Sequence, residues 1–450
     1  MEFRERDSGT VQLRLVSLAT MRVGFQLLTA LAAVLSAPAL AQEQPLEPID
    51  VPPSIEQGVD LIYIDPEIKP EIDRRNELLQ SMGFQDWTGA PIDLFVPVND
   101  TYTKLRRGLM KYRARWGSLP EVAIPTGPSM KVGSKDPRVA LLRKRLGLPD
   151  GVQFDAALDK ALKEYQAAHS LKSDGVVGNG TIASLNLGAD HFEREIVLNM
   201  ERARRLPAAD DKARYILVDA GAAKLYMYEN GKVVDSMNVI VGDKDRQTPM
   251  MAAELRYIQL NPYWNVPPDL SRTIVAKAVL AQGLTYLTER NYEVLSDWTD
   301  DAQQLDPASV DWQGVYDGKV DVRLRRGPGP WNSMGDMKFM IPNDFGIYLH
   351  DVPDPEKPMF LSEDRWISNG CIRLQDADRL QKWVVGKSPK PSGEADERVD
   401  VPDPVPVYIT YFTVAPSGDG VVFRPDRYGR DERLLARVDL DAANQQIAAQ

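Results

Sequence analysis

The chain has 450 residues, of which 43% are hydrophobic, with a formal net charge of -11, three histidines and one cysteine. At roughly 150 residues per domain that length suggests two to three domains, and the apolar share is ample for real cores. The acidic balance argues against nucleic acid or anionic lipid as the main partner, and one cysteine excludes a disulfide framework.

In chain order, "MRVGFQLLTALAAVLSAPALAQEQ" places arginine ahead of an apolar run from about Val23 to Leu35, followed by Ala39-Leu40-Ala41, an A-x-A cleavage pattern before Gln42. The run falls short of the roughly 20 apolar residues that span hydrocarbon. Residues 1–41 therefore read as a secretory signal, with Met21 as an alternative start, and the mature protein as exported. Nothing after Leu40 is long and apolar enough to enter a membrane. Residues 42–59, rich in proline and acid, read as a linker. Residues 60–125 read as an N-terminal scaffold, with helices in "RRNELLQSMGF" and "TYTKLRRGLMKYRARWG".

Residues 126–190 carry helical periodicity. Val139, Leu142 and Leu146 share one face, Phe154, Leu158, Leu162 and Tyr165 another, and a short third helix follows through Ile182 and Leu185. This predicts a small all-α bundle in which His169 is an ordinary helix-end histidine. After His191 the period changes to short β-runs, with Asn230-Gly231 supplying the positive φ angles of a tight hairpin. One helix, "DADRLQKWVV", interrupts with Ala377, Leu380, Trp383 and Val384 on one face. Residues 191–415 thus form a β-rich domain of catalytic size, followed by a C-terminal extension, 416–450. The expected fold class is multidomain α+β. Residues 268–328 fit that sheet poorly and read as a helical insertion, with Ser271 as N-cap and Gly283 as stop, placed to act as a lid.

The lone thiol, Cys371, sits in "WISNGCIRLQ", in a polar turn. It needs a base, since just a few per cent of an ordinary thiol is ionised at neutral pH. His350, at the end of the predicted strand "GIYLHDVP", is twenty-one residues upstream, enough for a loop to leave and return. Gly370 suits a sharp turn baring the Gly370 and Cys371 amides toward an oxyanion.

"HDVPDPEKPMFLSEDRWISNGCIRL" resembles the signature of the L,D-transpeptidases, a histidine followed by Ser-x-Gly-Cys-x-Arg. "RQTPMMAAELRYIQLNPYWNVPPDL" and "GPGPWNSMGDMKFMIPN" resemble the larger Gram-negative members, which add a peptidoglycan-binding module and a capping insertion. The order of pieces in the helical bundle, with "Gly-Val-Val-Gly" feeding its last helix, resembles that module. The resemblance implies a periplasmic enzyme acting on peptidoglycan stem peptides without metal or cofactor. Cys371 matches the nucleophile, His350 the base, and Gly370 and Cys371 the oxyanion amides. Arg373, Ser368, Asp351 and Tyr348 are candidates for binding substrate or orienting the site. Asn369 replaces a histidine common in the family, and Asp351 replaces a glycine.

Other chemistries fit less well. There is no Ser-x-x-Lys for a serine acyltransferase and no His-Glu-x-x-His for a metallopeptidase. A papain-like hydrolase usually presents cysteine before histidine. A non-enzymatic wall-binding scaffold would have no use for a thiol, a base and a glycine elbow together.

Overall fold

The computed structural model describes residues 63–64, 99–208, 214–299 and 301–435, all within one unit, Val51–Gln450. The expected signal segment, the linker, the helix in "RRNELLQSMGF" and residues 436–450 lie outside the described residues. No helix of the described residues is long and apolar enough to cross a membrane.

Four helices make the bundle: α1 (Asp100–Tyr112), α2 (Arg138–Arg145), α3 (Ala156–Ala168) and α4 (Asn179–Ala203). Asn99 and Asp155 cap α1 and α3 by accepting from Tyr102 N and Leu158 N at 2.9 Å each. The seven apolar residues predicted on the two helical faces are at most 3% exposed, each buried leucine contributing roughly 1.5–3 kcal/mol. The last helix corrects the sequence reading. It does not stop near His191 but continues to Ala203, interrupted at Gly188 where φ is +82°. Phe192, Ile196, Met200 and Ala203 bury the second half, a helical period hidden among "EREIVLNMERAR". His169 is the α3 C-cap as expected, buried, with its ring nitrogens 2.8 Å from Tyr165 O and 3.0 Å from Tyr112 Oη.

The strands, in chain order, are β1 (Tyr63–Ile64), β2 (Tyr215–Asp219), β3 (Lys224–Glu229), β4 (Lys232–Gly242), β5 (Met251–Leu260), β6 (Trp264–Val266), β7 (Tyr292–Leu295), β8 (Gln304–Leu305), β9 (Arg323–Arg326), β10 (Met337–Met340), β11 (Leu349–His350), β12 (Trp366–Ser368), β13 (Ile372–Leu374), β14 (Glu397–Thr410), β15 (Val414–Ser417) and β16 (Gly420–Phe423). The main sheet runs β5-β10-β11-β13-β4-β3-β2-β14, and β14 pairs again with β5, so the ladder closes on itself. Such a closed circuit leaves its members no free edge. The β3–β4 hairpin turns at Asn230 and Gly231 with φ of +51° and +70°, as their sequence predicts. Helix α8 follows the helices of the insertion named below; it spans Ala377–Val385 and buries Ala377, Leu380 and Val384 against the sheet.

The bundle and the sheet share one apolar core. Tyr215, Leu217, Ala252, Tyr408, Phe412, Val414 and Phe423 pack with the bundle residues. The β15–β16 hairpin takes part in this, so the described part of the stretch expected as a C-terminal extension, residues 416–435, is built into the fold. Beside it, Arg202 of α4 and Asp431 form an ion pair of 2.6 Å with both residues 1% exposed.

The insertion is not purely helical. A short four-stranded sheet, β6-β9-β7-β8, joins α5 (Lys277–Gln282), α6 (Thr285–Glu289) and α7 (Trp312–Tyr316) around a separate core that includes Val275, Leu287, Val294, Trp312 and Leu324. The strands were missed because "YEVL" and "RLRR" are too short to show a period. Ser271 is not an N-cap either: the helical run already begins at Pro268–Leu270 after Pro267, and Ser271 N donates to Pro267 O at 2.9 Å. Proline at the first helical position explains the earlier start. Gly283 does end α5, with φ +82°.

Candidate active site

Two short strands fix the site. β11 and β13 pair in parallel, Leu349 with Ile372 and His350 with Arg373, and Ile372 N donates to Tyr348 O at 3.1 Å. Because strand side chains alternate, Leu349 and Ile372 enter the core, where both are 0% exposed. Tyr348, His350, Cys371 and Arg373 then share the opposite face. A 3-10 segment, Asp354–Leu361, lies alongside, with Phe360 packed on Ile240 and Val352.

The turn before the thiol is held from two sides. Gly370 has φ +110°, a conformation that favours glycine, and a Cβ there would come within 3.3 Å of Ile347 Cδ1. Ser368 Oγ donates to Cys371 O at 2.7 Å and accepts from Gly370 N at 3.2 Å. Thr248 Oγ1 donates to Gly370 O at 2.7 Å while accepting from Gly242 N at 2.9 Å. Ser368 is thus a strut of the loop. It also engages the Gly370 amide, one of the two amides expected to face an oxyanion. Asn369 is exposed.

Cys371 is partly buried, and its thiol donates to Gly346 O at 3.6 Å. Burial pushes its pKa up, while hydrogen bonds from Tyr348 and the charges of Lys338 and Arg373 pull it down. His350 is 2% exposed, and its pKa is lowered to about 3, first by burial and next by the Arg373 charge. Its Nδ1 lies 2.6 Å from Asp351 O. The Tyr348 and His350 rings meet edge-on with centroids 6.1 Å apart. Arg373 reaches Glu356 at 3.4 Å. The Asp351 carboxylate turns away from the imidazole and accepts from Asp336 N at 3.1 Å, with burial raising its pKa. Its backbone carbonyl, not its side chain, meets His350.

Sequence reasoning missed three contributors. Thr248 supports the turn from 122 residues away. Asn343 organises the loop that carries Gly346, donating to Ile347 O at 2.6 Å and accepting from Ile347 N at 3.1 Å. Lys338 pairs in register with His350, and its Nζ sits 4.0 Å from the Tyr348 ring centroid. Only strand register reveals Lys338, because alternation in "KFMIP" does not say which face is which. Among the described residues no group of three or more His, Cys, Asp or Glu side chains could hold a metal ion.

Residues 213–409 match the YkuD family, described as the L,D-transpeptidase catalytic domain, and residues 141–185 match the "Putative peptidoglycan binding domain". A "Putative L,D-transpeptidase" of Haemophilus influenzae is 30% identical over 260 residues, 56% of this chain and 51% of the relative, so the chain spans about half of that protein's length. The crystal structure of an L,D-transpeptidase from Xylanimonas cellulosilytica matches 63% of this chain and 98% of its own at 15% identity and a TM-score of 0.20. An L,D-transpeptidase from Mycobacterium smegmatis matches 44% and 58% at 12% identity and 0.22. TM-scores this low define neither fold nor function. By these matches residues 213–409 are similar to L,D-transpeptidase catalytic domains and residues 141–185 to a putative peptidoglycan-binding domain.

Proposed function

We propose that the protein is an L,D-transpeptidase that cross-links peptidoglycan outside the cytoplasm, in the periplasm, with Cys371 as nucleophile and His350 as base. The thiol sulfur attacks the carbonyl of the third residue of a tetrapeptide stem, and its proton passes to His350 Nε2. The bond to the terminal D-Ala breaks as that proton goes to the leaving amine. The thioester is then attacked by an amine of a second stem, which gives its proton to His350 and frees the sulfur.

The single observation that carries this reading is the pairing of Leu349 with Ile372 and His350 with Arg373, which sets histidine and thiol on one face of two adjacent strands. The tautomer supports it: an Nδ1–H donating to Asp351 O leaves Nε2 as the acceptor. Preference for an amine over water, present at about 55 M, asks for a held acceptor and a sheltered thioester. The peptidoglycan-binding domain suits the first need and an insertion acting as a cap the second. In this reading Cys371 N–H is the principal oxyanion donor, since Gly370 N–H is engaged by Ser368.

Mass spectrometry of muropeptides after incubation with purified protein tests the acceptor. New dimers linked between third residues, with free D-Ala, are expected. Tripeptides without dimers would make the enzyme an L,D-carboxypeptidase, and stems carrying a new D-amino acid or protein would make it a transferase to those acceptors.

A further inference from the structure

Lys338 occupies the middle of the active-site face. Register sets it between Gln259 of β5 and His350 of β11, while its neighbours Met337 and Phe339 enter the core. Its ammonium is half-buried over the Tyr348 ring at 4.0 Å; the Asp396 carboxylate acts on it from beyond ion-pair distance, and its charge and that of Cys371 act on one another. No ion pair joins Lys338 to a carboxylate among the described residues, whereas Arg373, the other cation of this face, reaches Glu356 at 3.4 Å. A partly desolvated cation with no carboxylate in contact is unfavourable, and the deficit is reduced when an anion arrives beside it.

Resting on the function proposed above, we propose that Lys338 is the carboxylate-recognising residue of the donor site, binding the α-carboxylate of the amino acid that leaves when Cys371 is acylated. By standard bond lengths the carboxylate carbon of a terminal residue lies about 3–4 Å from the carbonyl carbon of the preceding residue. Register puts Lys338 beside His350, and His350 beside Arg373 on the strand that follows Cys371, so the ammonium lies on the same face as that carboxylate. The site then takes stems whose scissile bond is the last one and rejects stems that continue or are amidated there.

Two measurements on the full chain test this with Lys338→Met and Lys338→Arg. Cys371 is the only cysteine, so alkylation reports this site alone. At one pH, the rate of iodoacetate relative to iodoacetamide should fall at least about threefold in K338M and be kept in K338R, as expected when a cation near the thiol is removed or retained. An unchanged ratio overturns the placement. Second, a tetrapeptide stem ending in a free carboxylate should exceed its carboxamide counterpart by about tenfold or more in kcat/KM, the discrimination expected of a charge-assisted pair. That preference should collapse in K338M and survive in K338R. A K338M protein that discriminates as well as wild type overturns the proposal. A wild type that turns over neither stem overturns the transpeptidase reading, and the alkylation ratio then decides the placement of Lys338 independently.

Discussion

The imidazole of His350 is held by the residue that follows it, with Nδ1 2.6 Å from the carbonyl oxygen of Asp351. Burial lowers the His350 pKa to about 3 and raises that of the Cys371 thiol. Proton affinity thus favours the thiol over the imidazole, and the resting pair is neutral. In the proposed mechanism the thiolate forms only as the proton moves to Nε2 during attack.

Without substrate, the rate of Cys371 alkylation by iodoacetamide is predicted to keep climbing through pH 8 to about 9, because the thiol lies above its usual range of about 8.5. A plateau already reached near pH 6 would show a preformed thiolate–imidazolium pair instead.

Replacing His350 by alanine is predicted to lower turnover by about 100-fold near neutral pH, within the usual range for a general base. Raising the pH restores part of it, because hydroxide then supplies the thiolate. A variant without any recovery would mean that His350 does more than move a proton.

Stability should also follow this histidine. Unfolded His350 titrates near 6.5 and the folded one near 3, and His169 is lowered by burial to about 4. The unfolded chain therefore binds protons that the folded one refuses, so stability is full above pH 6.5 and declines as pH falls toward 4. Urea midpoints should show a shallower decline for His350→Gln. An equally steep decline would assign the acid sensitivity to other groups.

Ser368→Ala removes the hydroxyl that bonds both Cys371 O and Gly370 N. A loss of about 1–3 kcal/mol in stability is expected from the stranded partners, together with about a tenfold fall in kcat from the loosened nucleophile turn. Wild-type kcat in a folded variant would remove Ser368 from the positioning of the thiol.

Much of this was legible in the sequence because it is local. Helical periodicity located the core of the bundle, Asn230-Gly231 gave the hairpin, and the polar turn around Cys371 with His350 upstream gave the candidate pair. What was not legible depends on long-range register. Lys338 joins the site through pairing with His350, Thr248 through a bond to Gly370 O, and the closed sheet through β14 meeting β5. The role of Asp351 was hidden for another reason: its backbone oxygen makes the contact, which no side-chain identity announces.

Asp431→Ala leaves Arg202 charged and buried without its partner. Breaking a buried pair by removing one member costs about 3–5 kcal/mol, enough to lower Tm of the bundle and the catalytic domain in a single step, since both share one apolar core. Two separate melting transitions would contradict that coupling.

The insertion has its own core, and β6 pairs with β9 at its base, Val266 beside Leu324. Replacing residues 268–322 with a short flexible linker should therefore leave the melting of the catalytic domain little changed while weakening the preference for an amine over water. A collapse in melting with normal partitioning in the folded fraction would make the insertion structural.

The central claim is that a stem peptide is carried on Cys371. Intact-mass spectrometry of the protein mixed with a tetrapeptide stem, beside Cys371→Ala, tests it directly. The account predicts an adduct equal to the stem less its terminal residue, mapped to Cys371, with no adduct on the alanine variant. An unmodified wild-type protein that still consumes the stem, or product formation undiminished in Cys371→Ala, would contradict it.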